Sequence, residues 1–303
     1  MRRSIVILAA LGLLVAACGG AEEADGGAEV TEPAVESEPM VETSEATEAA
    51  THGSEMAMAE CDPLPTKEEG VLTVAAEYPY YEPFLIGEQS DPTGFEADLI
   101  NGIAEHLGVD VAWENIAFDQ LYAPGPKQWD VGVSEITITE ERDQVVDFSE
   151  PYFEANQGIL VQADGDYVDA ASTEELADAR FGAEAGTTGL DYIRENVKPQ
   201  QPISEFDTTE AAAQALKSGT IDVQVIDVPI AIGVRDGSDD VALEVIGQFV
   251  TDEQYGLTMD EGSELKPCID EAITAMDAAG DLQASQDEWF PGTTDLPVFE
   301  PVT

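Results

Sequence analysis

Basic residues are scarce: 11 lysines and arginines stand against 64 aspartates and glutamates in 303 residues, for a formal net charge of -53. Such a chain repels phosphate backbones and anionic surfaces, which argues against nucleic acid as a partner. The acidity keeps the surface solvated, in a saline habitat or at a cell surface, or else it is a field that attracts a cationic ligand. Cysteine numbers only three. The apolar run from Ile5 to Val15 is too short for a comfortable membrane span. From Val71 onward there is no phosphate loop, dinucleotide fingerprint, metal-ligand spacing or nucleophile elbow, so neither a cofactor, a metal nor a catalytic apparatus is expected. What is present is 43% hydrophobic and 25% charged residues, enough for one or two substantial cores and hence for two lobes.

The N-terminus reads as an export signal over residues 1–17: Arg2 and Arg3 precede the apolar run, and small residues follow. Val15-Ala16-Ala17-Cys18 resembles a bacterial lipobox, which marks Cys18 as the lipidated residue and implies a membrane anchor through acyl chains. Residues 18–60 then hold no aromatic residue, lysine or arginine. Such a segment reads as a disordered acidic tether, and His52, Met56 and Met58 near its end belong to it rather than to a metal tract. Setting Cys18 aside leaves Cys61 and Cys268, an even pair in an exported chain. They are expected as a disulfide, with two buried thiols as the alternative.

From Val71 the pattern alternates strands and helices, which predicts parallel sheets with crossover helices. "VLTVAA" and "VDVAWEN" read as strands, as do Val131–Val133, Gly158–Val161, Phe181–Glu184 and Asp222–Ile226. "FEADLINGIAEHLG" puts Leu99, Ile100, Ile103 and Leu107 on one helical face before Gly108. Ser172 with Glu175 has the capping-box spacing, and Thr208 opens a helix that Gly219 closes. A last helix near Ser263–Ala279 stacks Leu265, Cys268, Ile269, Ala272, Ile273 and Met276 as core.

The order of motifs resembles one family, the extracytoplasmic solute-binding proteins (family 3) of ABC importers for polar amino acids. "GFEADLINGIAEHLG" resembles its aromatic and acidic signature, with Ala97 where a larger apolar residue is usual. "SEITITEERDQVVDFSEPYF" resembles its most recognisable run, while "FGAEAGTTG", "LKSGTIDVQVIDVPIA" and "EQYGLTM" resemble the second-lobe turn, the pocket strand and the return to lobe one. The resemblance implies an α/β, two-lobed periplasmic-binding-protein-like type II fold with a ligand cleft between lobes joined by two hinge strands. Lobe one would take residues 61–154 and 252–303, and lobe two residues 155–251.

By matched position Arg142 is implied to hold a ligand α-carboxylate, since its planar fork donates two parallel hydrogen bonds. Ser134 and Thr137 would offer hydroxyls, and Thr139 sits where a helix N-terminus presents donors. The alternative is an exposed ion pair between Arg142 and Glu140, Glu141 or Asp143. Asp227 is implied for the α-ammonium, with a plain surface acid as its alternative, and Thr188 is implied to contact the zwitterion from lobe two. Tyr81 and Phe118 match stacking positions, although Phe118 also suits the core. Glu77 lies near an acid position of basic-ligand relatives, blurred by one extra residue. Glu135 replaces a small residue and either lies beside the pocket or turns outward. Two such acids favour a cationic side chain, with polar neutral amino acids still open. The implied function is a monomeric lipoprotein that captures a free amino acid and delivers it to an ABC permease with its ATPase. An exported enzyme of the same fold, of the cyclohexadienyl dehydratase type, and a ligand-sensing lipoprotein are the alternatives.

Overall fold

The computed structural model describes residues 61, 63–290 and 296–302. The export signal, Cys18 and the tether to residue 60 lie outside the described residues.

A short valine- and alanine-rich run buried on both faces starts the first sheet: β1 (Val71–Ala76) exposes almost nothing past its first residue. Such a strand fits parallel pairing beneath helices. It pairs in parallel with β4 (Asp110–Asn115) and β5 (Val131–Gly132). A small hairpin, β2 (Ile86–Glu88) with β3 (Asp91–Thr93), stands apart. The sheet is completed by β6 (Asp147–Phe148) and β12 (Thr258–Met259), in the order β4-β1-β5-β12-β6. A second sheet has the order β11-β7-β10-β8-β9. Its strands are β7 (Phe153–Gln162), β8 (Phe181–Glu184), β9 (Ser204–Phe206), β10 (Val223–Asp227) and β11 (Leu243–Tyr255).

Both sheets are mixed rather than parallel. The chain enters the second sheet along β7 and leaves along β11, so these two strands run in opposite directions and pair from Phe153↔Tyr255 to Gln162↔Leu243. Register breaks fall between Val245 and Gly247 and between Phe249 and Glu253. The pair is tied to the first sheet's side by a bridge between Thr137 and Tyr255. Only the later part of β7 reads as a strand in sequence, because Glu154, Asn156 and Gln157 break its apolar run.

Helix α1 (Phe95–Leu107) buries Leu99, Ile100 and Ile103, with Leu107 half-buried. Gly94 before it has φ 119°, and a Cβ there would stand 2.3 Å from the Phe84 carbonyl oxygen, so the position requires glycine. Gly108, left-handed at φ 70°, stops the helix. Then follow α2 (Phe118–Leu121), α3 (Thr188–Tyr192), α4 (Thr209–Lys217), α5 (Val228–Asp236), α6 (Lys266–Ala279) and α7 (Asp281–Trp289). Thr208 caps α4 by accepting from the Ala211 N–H at 3.1 Å. The Ser172 box is a single 3-10 turn over Thr173–Leu176; Glu175 reaches back to the Ala171 N–H at 2.8 Å, and Ser172 caps nothing with its side chain. Helix α6 starts at Lys266, later than its apolar stripe suggests, because the Ser263 N–H is drawn to Asp147 and Pro267 fits a first turn.

Phe84, Phe95, Phe153, Tyr255 and Phe290 form an aromatic cluster, their rings 5.0–6.1 Å apart where the crossover strands meet α1. A disulfide joins Cys61 to Cys268, tying the segment before β1 to α6. Residues 296–302, expected with lobe one, instead run beside the second sheet: Gln248 N–H donates to the Pro297 carbonyl at 2.8 Å, and Phe299 is buried against Phe249. An apolar Val298-Phe299 pair between prolines carries no periodicity that would reveal this.

Candidate functional site

The carboxyl ends of strands in an open α/β sheet are where side chains can converge on a ligand. Strand β1 ends at Ala76 and delivers Glu77, whose N–H donates to the Ser134 hydroxyl oxygen at 3.1 Å. Strand β5 leads into Ser134, Glu135 and Thr137. Strand β8 ends in Glu184, and the turn after it carries Gly186 and Thr187 to Thr188 at the start of α3. Strand β10 ends in Asp227, which is also the residue before α5. One cavity is lined by Glu77, Tyr81, Phe118, Ser134 and Glu135, and equally by Thr137, Arg142, Thr188 and Asp227. The residues singled out in the sequence thus occupy a single place between the sheets.

Arg142 is 7% exposed and makes no ion pair with Glu140, Glu141 or Asp143. Its Nη1 donates to the Thr137 carbonyl at 2.8 Å and its Nη2 to the Gly186 carbonyl at 2.9 Å. The guanidinium lies over the ring of Tyr122, 4.3 Å from the centroid, and 5.7 Å from that of Phe118. Burial lowers its pKa, while Tyr122, Glu253 and Asp227 oppose that shift. Thr139 does not open a full helix: its hydroxyl accepts from the Arg142 N–H at 3.2 Å, three residues ahead of the short 3-10 turn Arg142–Gln144. Tyr122 donates its hydroxyl to the Gly186 carbonyl at 3.0 Å, a second contact across the cleft.

Facing this one cation are several carboxyls. Burial, then repulsion from Glu184, pushes Glu77 up to about 8. Burial pushes Glu184 up to about 7, against hydrogen bonds from Thr209. Asp227 is raised to about 7 by burial and by repulsion from Glu253, although Tyr255 and Gln157 both donate hydrogen bonds to it. Glu135 turns inward and is buried, with a left-handed φ of 48° that a non-glycine residue rarely adopts. Its N–H donates to Glu96 Oε1 at 2.8 Å, and the Tyr152 hydroxyl donates to the same oxygen. Burial and the neighbouring Glu96, Asp227, Glu77 and Glu184 carboxyls raise Glu135 well above the ordinary range. Among the described residues no group of three or more histidine, cysteine or acidic side chains is arranged to hold a metal.

Four contributors escaped the sequence reading. Glu184 ends a recognised strand one residue before a glycine-bearing turn, which is a usable signal. Tyr122 lies four residues after Phe118, just past the end of the same short helix, where a second ring on one side is foreseeable. Gln157 and Glu253 lie on the crossover strands, where nothing local marks them. Gln157 is fully buried and its Nε2 donates to Asp227, to Thr188 at 3.2 Å and to Glu253 at 3.0 Å.

A family model described as bacterial extracellular solute-binding proteins, family 3, matches residues 72–292. The chain is 29% identical over 226 residues to the L-cystine-binding protein TcyJ of Escherichia coli (strain K12), covering 74% of this chain and 84% of that protein. It is 30% identical over 226 residues to ABC transporter arginine-binding protein 1 of the same strain, covering 72% of this chain and 89% of the relative. A solved structure described as an ancestral arginine-binding protein bound to glutamine superposes with a TM-score of 0.68 at 32% identity, covering 74% of this chain and all of that one. These relatives are binding proteins, not enzymes.

Proposed function

We propose a function from one premise: the chain belongs to the bacterial extracellular solute-binding proteins, family 3, whose model matches most of its length. The protein binds an amino acid with a cationic side chain. The ligand's α-carboxylate meets Arg142 and the hydroxyls of Thr137 and Thr188, and its α-ammonium meets Asp227. The distal cation lies among Glu77, Glu135 and Glu184, with Tyr81 and Phe118 flattening the walls. Ser134 holds the Glu77 backbone and offers its hydroxyl proton to the ligand. The observation that carries this reading is the imbalance inside one cavity, where a single guanidinium is faced by Glu77, Glu135, Glu184 and Asp227. A neutral zwitterion offsets one acid; a second cationic group on the ligand offsets more of them.

The zwitterion spans the lobes, so closure is favoured by ligand bound to both. Lobe one comprises residues 61–154 with the return of the chain after residue 252, and lobe two residues 155–251. Delivery goes to an ABC permease with its separate ATPase, and a lipid on Cys18 keeps the receptor, a monomer, at the membrane. Calorimetry with the twenty amino acids and common polyamines tests the reading: arginine, lysine or ornithine is expected to bind most tightly, and preference for an acidic or apolar amino acid contradicts it.

Binding is also expected to depend on pH with a fixed sign. Glu77, Glu184 and Asp227 titrate near 7 to 8 in the free protein, and a bound cation favours their ionised forms, so binding releases protons. Affinity for L-arginine therefore rises between pH 6 and pH 8.5 or so, across the window of those values. Titration in two buffers of different ionisation enthalpy reads the released protons directly; a flat profile without proton release sinks the assignment. Without ligand, the same carboxyls have folded values above their unfolded ones. Their contribution to stability is present in acid and lost as pH rises through about 7 to 8, so the free protein is expected to melt earlier at pH 8.5 than at pH 6.

A further inference from the structure

Glu253 stands at a built irregularity. Strand β11 breaks register between Phe249 and Glu253, and Asp252 adopts a left-handed φ of 51°. The bulge is pinned from β7, where Asn156 Oδ1 accepts from the N–H groups of Thr251 at 2.9 Å and Asp252 at 3.2 Å. A bulge of this kind re-aims the next side chain. Here it turns the Glu253 carboxylate toward the cleft, where Oε2 accepts from the Thr137 hydroxyl at 2.7 Å and the Thr188 hydroxyl at 2.6 Å. Oε1 accepts from Gln157 Nε2 at 3.0 Å. Thr137 follows β5 of the first sheet, and Thr188 opens α3 after β8 of the second. A single carboxylate thus joins the two halves of the molecule through one hydroxyl of each.

Those two hydroxyls are the ones assigned above to the ligand's α-carboxylate, and each has one proton to donate. We propose that Glu253 is an internal counterpart of that carboxylate, linking Thr137 to Thr188 across the cleft, and that a ligand bearing an α-carboxylate binds by displacing it. The inference rests on the amino-acid reading for the identity of the displaced contact, while the link between the lobes stands on the geometry alone. Its consequence is selectivity. A ligand with a carboxylate has to exchange with Glu253, whereas the corresponding amine without one leaves Glu253 in place and gains a nearby negative charge. Glu253 therefore narrows the discrimination that Arg142 provides, and it holds the lobes together in the free protein.

The test compares L-arginine with agmatine, its decarboxylated analogue, on the full chain and on Glu253→Ala and Glu253→Gln. Glu253→Ala is expected to raise the preference for L-arginine over agmatine by about tenfold or more, the effect of freeing one charge-assisted contact, with Glu253→Gln in between. Small-angle scattering of the free protein is expected to show a larger radius of gyration for Glu253→Ala than for the unaltered chain. Equal weakening of both ligands, with no expansion, would reduce Glu253 to a structural brace and overturn the proposal. Expansion of free Glu253→Ala in a protein that binds neither compound would leave the link standing and remove the amino-acid reading.

Discussion

Arg142→Ala is expected to lose ligand affinity by roughly 2–5 kcal/mol, or about thirtyfold at the least, while the protein stays folded. The size follows from where the guanidinium sits. It is buried, braced by the carbonyls of Thr137 and Gly186, and flattened against Tyr122, so its position is fixed before any ligand arrives. Among the described residues it is also the only cation lining a cavity otherwise rich in carboxyls. Without it, a ligand carboxylate would enter a field of one sign with only neutral donors to meet it, which is the costly case of a buried charge stripped of its partner. Arg142→Lys keeps the charge and loses the planar fork, so it is expected to recover part of the affinity. Calorimetric titration with L-arginine, beside thermal melts of each variant, reads both quantities. Affinity within a few fold of the unaltered protein would show that the carboxylate binds elsewhere.

The second large effect concerns stability. Cys61 and Cys268 are separated by 207 positions in sequence, so their bond closes a very long loop in the unfolded chain. Chain-entropy arguments give about 5 kcal/mol for a loop of that length, and native disulfides commonly contribute roughly 2–5 kcal/mol. Cys61→Ser with Cys268→Ser is therefore expected to lower the unfolding free energy by roughly 2–5 kcal/mol in urea titrations. Neither cysteine lines the cavity, so ligand affinity is expected to change little. Unchanged urea midpoints in oxidised and reduced protein would show that the bond contributes nothing.

How far the sequence revealed this molecule depended on whether a residue's role was set locally. Strand ends and helix starts are local, and of the residues proposed for the ligand Glu77, Phe118, Thr188 and Asp227 lie at such places. Glu184 shares that property, yet one acid among 64 aspartates and glutamates attracts no notice. Gln157 and Glu253 are different. Their meaning comes from two strands 96 positions apart pairing beside the cleft, and no window of sequence contains both. The same reason explains the mixed sheets: alternating strands and helices indicate crossovers, but not that two connecting strands become antiparallel partners. The Phe299 segment joins the second sheet through a long-range contact that its own composition does not encode. Thr139 is expected at a helix N-terminus, but the Arg142–Gln144 turn that follows it is too short to act as one.

In the proposed complex one half of the molecule neutralises a ligand carboxylate and the other its ammonium. A crystal structure of the complex with L-arginine tests it most directly. The α-carboxylate is expected within hydrogen-bonding distance of the Arg142 guanidinium, the α-ammonium against Asp227, and Glu253 moved off Thr137 and Thr188. A ligand whose carboxylate lies away from Arg142, or whose two ends are held by one lobe, would contradict it.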